Sequence, residues 1–191
     1  MLSFTAQAFS KNNVKLDWTT AVEQNNSGFD VERRVTLSGA DGWKKIAFVQ
    51  GSGTVNEPRS YHFDDKKLQT GSYKYRLKQI DYNSNFEYFE LENDVVVRAP
   101  DVFSVSQNYP NPSNPKSKID YEIPVEGKVK ITLYDILGRE ALNIVNETKL
   151  AGYHSAEFDG TNLASGVYFY RITAEGSSQK FTKTLKMIIV K

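Results

Sequence analysis

Hydrophobic and polar residues alternate with a period of two along almost the whole chain. Val14, Leu16 and Trp18 alternate with Lys15 and Asp17. Phe29, Val31 and Val35 share one face, and Arg33 breaks it. Ile119, Tyr121 and Ile123 form another such row, as do Val129, Ile131 and Leu133. This period sends one side of a segment into a core and the other into water, the pattern of half-buried strands. Asn25-Asn26-Ser27-Gly28, Asp41-Gly42, Leu137-Gly138 and Asp159-Gly160 read as turns between them. No segment carries the longer period of a helix. The predicted fold class is all-β.

An internal repeat divides the chain. Phe63-Asp64, Leu68, Gly71, Tyr73 and Tyr75-Arg76 recur as Phe158-Asp159, Leu163, Gly166, Tyr168 and Tyr170-Arg171, seven identical positions at an offset of 95 residues. One immunoglobulin-like sandwich takes about 100 residues. The repeat therefore predicts two tandem immunoglobulin-like β-sandwiches, residues 1–99 and 100–191, with a boundary near Ala99-Pro100. Five of the six prolines cluster between positions 100 and 124, just past that boundary. Within the motif the Leu tucks inward and the two Tyr share one strand face. One Tyr is expected to lock the preceding loop through its hydroxyl, as in a tyrosine corner. Gly138 and Gly166 are expected at positive φ, where other residues strain.

Charge and chemistry remove several function classes. The 24 basic and 23 acidic residues leave a net charge of +1, which gives a nucleic-acid role no electrostatic footprint. No apolar run is long enough to span a membrane as a helix. With no Cys there is no thiolate nucleophile or thiolate metal site. His62 and His154 each lack a second ligand or a nucleophile partner, so no metal, no cofactor and no catalysis is expected. Asp64-Asp65-Lys66-Lys67 reads as a solvated turn.

Three features are less generic. Trp43 stands beside the Asp41-Gly42 turn. It is either a glycan contact or a staple between a strand and the core. The segment from Tyr109 through Pro110, Asn111 and Pro112 to Pro115 holds three prolines, which donate no backbone hydrogen bond. It is expected to stay out of any ladder, as a rigid crossing or a preformed recognition surface. Near the C-terminus Phe181, Leu185, Met187 and Ile189 line one face, flanked by Lys180, Lys183, Lys186 and Lys191. So β-prone a segment must be paired or covered, and it is expected to be the final strand.

Four ordered blocks resemble a known family. They are Phe103-Ser104-Val105-Ser106-Gln107-Asn108-Tyr109-Pro110-Asn111-Pro112, Tyr134-Asp135-Ile136-Leu137-Gly138-Arg139-Glu140, Leu163 to Ile172, and Lys183 to Lys191. Together they resemble the type A C-terminal sorting domain of the type IX (Por) secretion system. The first half is similar to a fibronectin type III module, through Val14 to Thr20, Asn25 to Arg33 and Tyr73 to Asp81.

The resemblance implies a secreted or cell-surface protein that passes through the periplasm. Its partners would be the outer-membrane translocon and shuttle proteins, a sortase-like cysteine protease, and anionic lipopolysaccharide after processing. It implies sorting-signal positions at Tyr109, Pro110, Asn111, Pro112, Gly138, Gly166, Tyr168, Lys183, Lys186 and Lys191. Cleavage would fall near Arg98, Ala99, Pro100 and Asp101, and the last strand would dock through an open edge. The N-terminus shows no basic segment followed by an apolar one. The expectation is the monomeric C-terminal piece of a larger exported protein, with Met1 an added start. Its first domain would be a spacer or, alternatively, a carbohydrate- or surface-binding module.

Overall fold

The computed structural model describes residues 1–36, 42–177 and 179–191. The Asp41 position of the expected Asp41-Gly42 turn lies outside them. The chain divides into two compact units, Met1–Arg98 and Ala99–Lys191, each built of strands, with no helix among the described residues.

The first unit contains β1 (Ser3–Phe9), β2 (Asn13–Thr20), β3 (Glu23–Val35), β4 (Lys44–Val55), β5 (Arg59–Asp65), β6 (Gly71–Asp81), β7 (Phe86–Glu90) and β8 (Val95–Val97). One sheet has the order β1-β2-β5. The other runs β4-β3-β6-β7, with β8 also on β6. The alternating residues meet between the sheets. Val14, Leu16 and Trp18 from one face Phe29, Val31, Tyr75 and Leu77 from the other, all essentially inaccessible. Trp18 stacks on Tyr61 at 5.6 Å and meets Phe29 edge-on at 5.5 Å. Each fully buried side chain of this size contributes about 1.5–3 kcal/mol.

The second unit contains β9 (Ser104–Val105), β10 (Lys116–Ile123), β11 (Gly127–Tyr134), β12 (Glu140–Lys149), β13 (Gly152–Asp159), β14 (Gly166–Glu175) and β15 (Lys180–Ile189). Its sheets run β13-β10-β9 and β12-β11-β14-β15. Apart from β8, which has no counterpart, this repeats the first unit strand for strand. The core holds Ile119, Tyr121 and Ile123 against Ile131, Leu133, Tyr170, Ile172 and Met187. The C-terminal segment is the last strand, paired with β14 from Glu175↔Lys180 to Gly166↔Ile189.

The repeated motif does the same work twice. The Tyr73 hydroxyl donates to the Gln69 carbonyl at 2.7 Å, and the Tyr168 hydroxyl donates to the Ala164 carbonyl at 3.0 Å. Each closes the turn that leads into its own strand. Leu68 is buried behind that turn, and Leu163 is half-buried.

Three turn readings change. Asn25 to Gly28 lies inside β3, as an irregular stretch where the register against β4 and β6 shifts. Asn25 takes φ 56° there, so the residue types that favour turns serve a bulge instead. Asp64-Asp65 ends β5 rather than forming a solvated turn. Asp65 is buried, accepts both bonds of the Arg33 guanidinium at 2.7 and 2.9 Å, and takes the Tyr75 hydroxyl at 2.9 Å. This also explains why Arg33 interrupts an apolar face. Gly138 has φ +77°, as expected, but Gly166 does not lie at positive φ. Gly166 is the first residue of β14, and a Cβ there would touch only Tyr168, at 3.9 Å.

Candidate functional site

The site is built from the ends of strands. In the second unit β11, β13 and β15 end at one pole of the sandwich, where β10, β12 and β14 begin. Three connections and the chain terminus therefore gather there. They are residues 106–115, the 135–139 hairpin, the 160–165 turn and residues 190–191. The Phe103–Phe181 stack, at 5.2 Å, marks the opposite pole. Part of each family-like block, far apart in sequence, reaches this C-terminal pole.

The proline-rich segment is its keystone, and the expectation that it stays out of any ladder fails. The prolines donate nothing, but the residues between them do. Tyr109 exchanges both backbone bonds with Lys118 of β10, at 2.8 and 3.0 Å. Ser113 donates its N–H to the Ile188 carbonyl at 2.8 Å, and its own carbonyl accepts from Val190 at 2.9 Å. The Asn111 Oδ1 accepts the Ile188 N–H at 3.0 Å, and Gln107 Nε2 donates to the Lys186 carbonyl at 2.7 Å. The outer edge of β15 from Lys186 to Val190 is therefore covered. Docking of a partner strand on that stretch, expected from sequence, has no open edge to use. The Tyr109-Pro110 and Asn111-Pro112 peptides are both cis.

Asn108 and Ser113, which sequence reading gave no role, hold the segment down. Asn108 is buried. Its Nδ2 donates to the Pro110 carbonyl at 2.9 Å and to Ser117 Oγ at 2.8 Å, and its Oδ1 accepts from Gln107 Nε2 at 2.6 Å. Ser117 Oγ donates onward to the same Pro110 carbonyl at 2.8 Å. The signal available in sequence was the polar Asn and Ser set among prolines.

On this fixed backbone Tyr109 projects its ring, which is 81% exposed. It borders a cleft of about 430 Å³ with Pro110, Lys116, Lys118 and Asp159. The 135–139 hairpin presents Ile136 and Leu137, each 72% exposed. Its shape is set by Asp135, whose carboxylate accepts the N–H groups of Leu137 and Arg139 at 2.9 and 3.0 Å and the Arg139 guanidinium at 2.7 Å. The Arg139 N–H first, then its guanidinium, holds the Asp135 carboxyl below its ordinary range. On the sheet face beside the hairpin, Tyr134 lies opposite Phe169, with Arg171 over the Tyr134 ring at 5.1 Å.

The other expected positions sort themselves by burial. Pro110, Asn111, Pro112 and Gly138 are exposed at the pole, and so are Gly166, Lys186 and Lys191. Lys183 is exposed farther along β15, opposite Ile172. Tyr168 is buried and acts as the loop lock described above. Burial pushes the Tyr170 phenol up to about 12, and its hydroxyl donates to the Ser106 carbonyl at 2.8 Å. At the unit boundary Arg98 and Asp101 are exposed, Ala99 is half-buried and Pro100 is buried, all outside any strand.

In the first unit Trp43 is half-buried on the outer face of the β4-β3-β6-β7 sheet, away from the core. The guanidinium groups of Arg34 and Arg76 lie 5.0 and 4.4 Å from its ring centre. His62 is exposed on β5, and His154 stacks on Tyr121 at 5.3 Å while its Nε2 meets the Leu150 carbonyl. Among the described residues no three His, Asp or Glu side chains are placed to hold a metal ion.

Residues 107–190 match the family model described as the secretion system C-terminal sorting domain. No curated protein matches the chain by sequence. Among solved structures, dimeric latent PorU from Porphyromonas gingivalis is similar over 99% of this chain at 14% identity and a TM-score of 0.39. The chain spans 20% of that PorU structure. The FN1–FN3 domains of chicken CNTN1 are similar over 99% of this chain and 66% of their own length, at 14% identity and a TM-score of 0.33. A tetra-tandem repeat from the extending region of a large adhesion protein is similar over 98% and 50% of the two chains, at 15% identity and a TM-score of 0.36.

Proposed function

Because the second unit is a secretion system C-terminal sorting domain, we propose that its C-terminal pole is the surface the type IX export machinery reads, as a folded shape. The sorting domain gives the chain a secretion-signal role, with export to the cell surface. The observation that carries the finer reading is the convergence of four separated segments on one pole. There Tyr109, Ile136 and Leu137 stand exposed on a backbone fixed by hydrogen bonds. Such groups bind at low ordering cost.

In this reading the domain folds in the periplasm, and the pole docks on a shuttle protein and the translocon. A sortase-like cysteine protease then cuts near Arg98, Ala99, Pro100 and Asp101, where the chain is unpaired. Of these bonds the ones around Asp101 are the best presented, because Asp101 is exposed and Pro100 is buried. The released cargo then joins anionic lipopolysaccharide. The sorting-domain family is non-catalytic. We extend this to the whole chain: neither unit carries chemistry, the chain acts as a monomer, and the first unit is a spacer. One observation favours a second reading of the first unit, as a carbohydrate-binding module. Phe48, Phe86 and Tyr88 are exposed on the same sheet face as Trp43.

The test is a secretion assay on a periplasmic reporter fused to the full chain. Tyr109→Ser combined with Leu137→Ser should cut export at unchanged thermal stability. Val125→Ser, at the opposite pole, should leave export intact. Full export by the double variant would remove the pole from the signal.

A further inference from the structure

The outer face of the first unit's larger sheet alternates cations with aromatic rings. Arg76 lies 4.4 Å from the centre of Trp43 and 4.0 Å from that of Tyr88. Lys78 lies 4.0 Å from Phe86 and 5.9 Å from Tyr88, and Lys45 lies 5.3 Å from Phe48. Phe86 and Tyr88 meet edge to face at 5.4 Å. The row crosses β6 and β7 in register, with Lys78 opposite Tyr88 and Ile80 opposite Phe86. Phe86 is 56% exposed and Tyr88 43%.

Charge pairing on this face is incomplete. Lys45 pairs with Asp30 at 2.5 Å, Arg76 with Glu32 at 2.6 Å and Lys74 with Glu90 at 3.4 Å. Arg34 and Lys78 have no carboxylate within ion-pair distance among the described residues. Each is held over rings instead. Asp94, at the rim, is engaged by Thr36 and Ser72 at 2.8 Å. The face therefore carries two positioned cations beside exposed rings: Lys78, and Arg34, which also lies in the field of the Asp94 carboxylate. A core-stapling role for Trp43 would leave these features without purpose. An aromatic ring accepts the C–H face of a sugar, and a positioned cation accepts a carboxylate.

We propose that this face binds an acidic polysaccharide, with Tyr88 and Phe86 against the sugar rings and Lys78 and Arg34 on the carboxylates. The proposal rests on the carbohydrate-binding reading of the first unit and narrows it to carboxylate-bearing chains. It is independent of the sorting role of the second unit.

Affinity electrophoresis of the full chain tests it, with polygalacturonate as the acidic probe and dextran as the neutral one. Retardation by polygalacturonate and not by dextran is expected, weakening as salt rises. Tyr88→Ala should weaken binding about tenfold, the equivalent of ~1.4 kcal/mol. Lys78→Gln should weaken it about fivefold, in the range of one solvent-exposed ion pair. Tyr88 is exposed and Lys78 half-buried on the outer face, and unchanged Trp fluorescence controls for folding. Equal retardation by dextran would overturn the acidic specificity while leaving carbohydrate binding standing. No retardation by either probe would overturn both. Retardation by polygalacturonate that survives Tyr88→Ala and Lys78→Gln would place the ligand on another surface and overturn the assignment.

Discussion

The two sandwiches share a strand order and a tyrosine-locked turn, yet they hold their polar interiors differently. The first buries charge. Glu23 is buried and accepts from Thr20 at 2.8 Å, Asn26 at 2.8 Å, the Ser52 N–H at 2.8 Å and Tyr61 at 2.6 Å. Asp65 is buried between Arg33 and Tyr75. The second buries only neutral polar groups, Asn108, Ser113, Ser117 and Thr132 among the described residues. Its second motif tyrosine, Tyr170, bonds a backbone carbonyl where Tyr75 bonds a carboxylate. The first unit closes its barrel of donors on fixed anions, whereas the second uses its neutral groups to pin a loop onto its last strand. One fold thus accommodates an ion-stitched body and a loop-capped one.

Breaking the ion stitch should give the largest effect. Asp65→Ala strips Arg33 and Tyr75 of their shared partner and should cost the first unit about 3 kcal/mol. Both Trp residues lie in the first unit, so denaturant unfolding followed by Trp fluorescence reports that unit alone. The second unit, followed by circular dichroism, should be unaffected.

Glu23→Gln should cost about 2 kcal/mol at neutral pH, because an amide presents a donor to groups that are themselves donors. Burial pushes the Glu23 carboxyl up, but hydrogen bonds from Tyr61, Asn26, the Ser52 N–H and Thr20 outweigh it and hold it below the ordinary value. A lowered folded pKa means stability that is present above the unfolded value and is lost as pH falls through the folded one. The Trp-reported midpoint of the wild type should therefore drop in acid below the unfolded carboxylate range, and the Glu23→Gln difference should shrink with it.

The shared feature should behave alike in both units. Tyr73→Phe and Tyr168→Phe should each cost about 1 kcal/mol in their own unit, the loss of one hydrogen bond. Unequal costs would mean that the repeat is one of sequence rather than of mechanics.

The smallest effect separates two glycines of the pole. Gly138→Ala should cost about 1 kcal/mol because of its left-handed backbone. Gly166→Ala should be near neutral, since its Cβ meets only Tyr168 at ordinary contact distance. Thermal melts of the two variants check this directly.

The architecture was legible because period-two alternation and a 95-residue repeat are local and self-consistent signals. What escaped was long-range pairing. Arg33 and Asp65 are 32 residues apart, and nothing near either names the other. Asn111 and Ile188 are 77 residues apart, so the proline segment looked free when it was a cap. Asn25 to Gly28 misled because bulges and turns draw on the same residue types. The blocks at the pole were visible one by one, but their convergence was not, because it depends on which strand ends share a pole. Phe86 and Tyr88 alternate as plainly as any strand, and only the cations beneath them set that face apart.

Export scored against the folded fraction of the second unit decides the central claim. Asn108→Leu in the full chain removes the bonds that pin the proline segment yet leaves residues 183–191 intact. Reporter export should fall in step with the fraction of second unit that remains folded, and recover when the chain is stabilised elsewhere in that unit. Undiminished export from a chain whose second unit is unfolded would contradict a signal read from shape, and would return it to the linear C-terminal sequence.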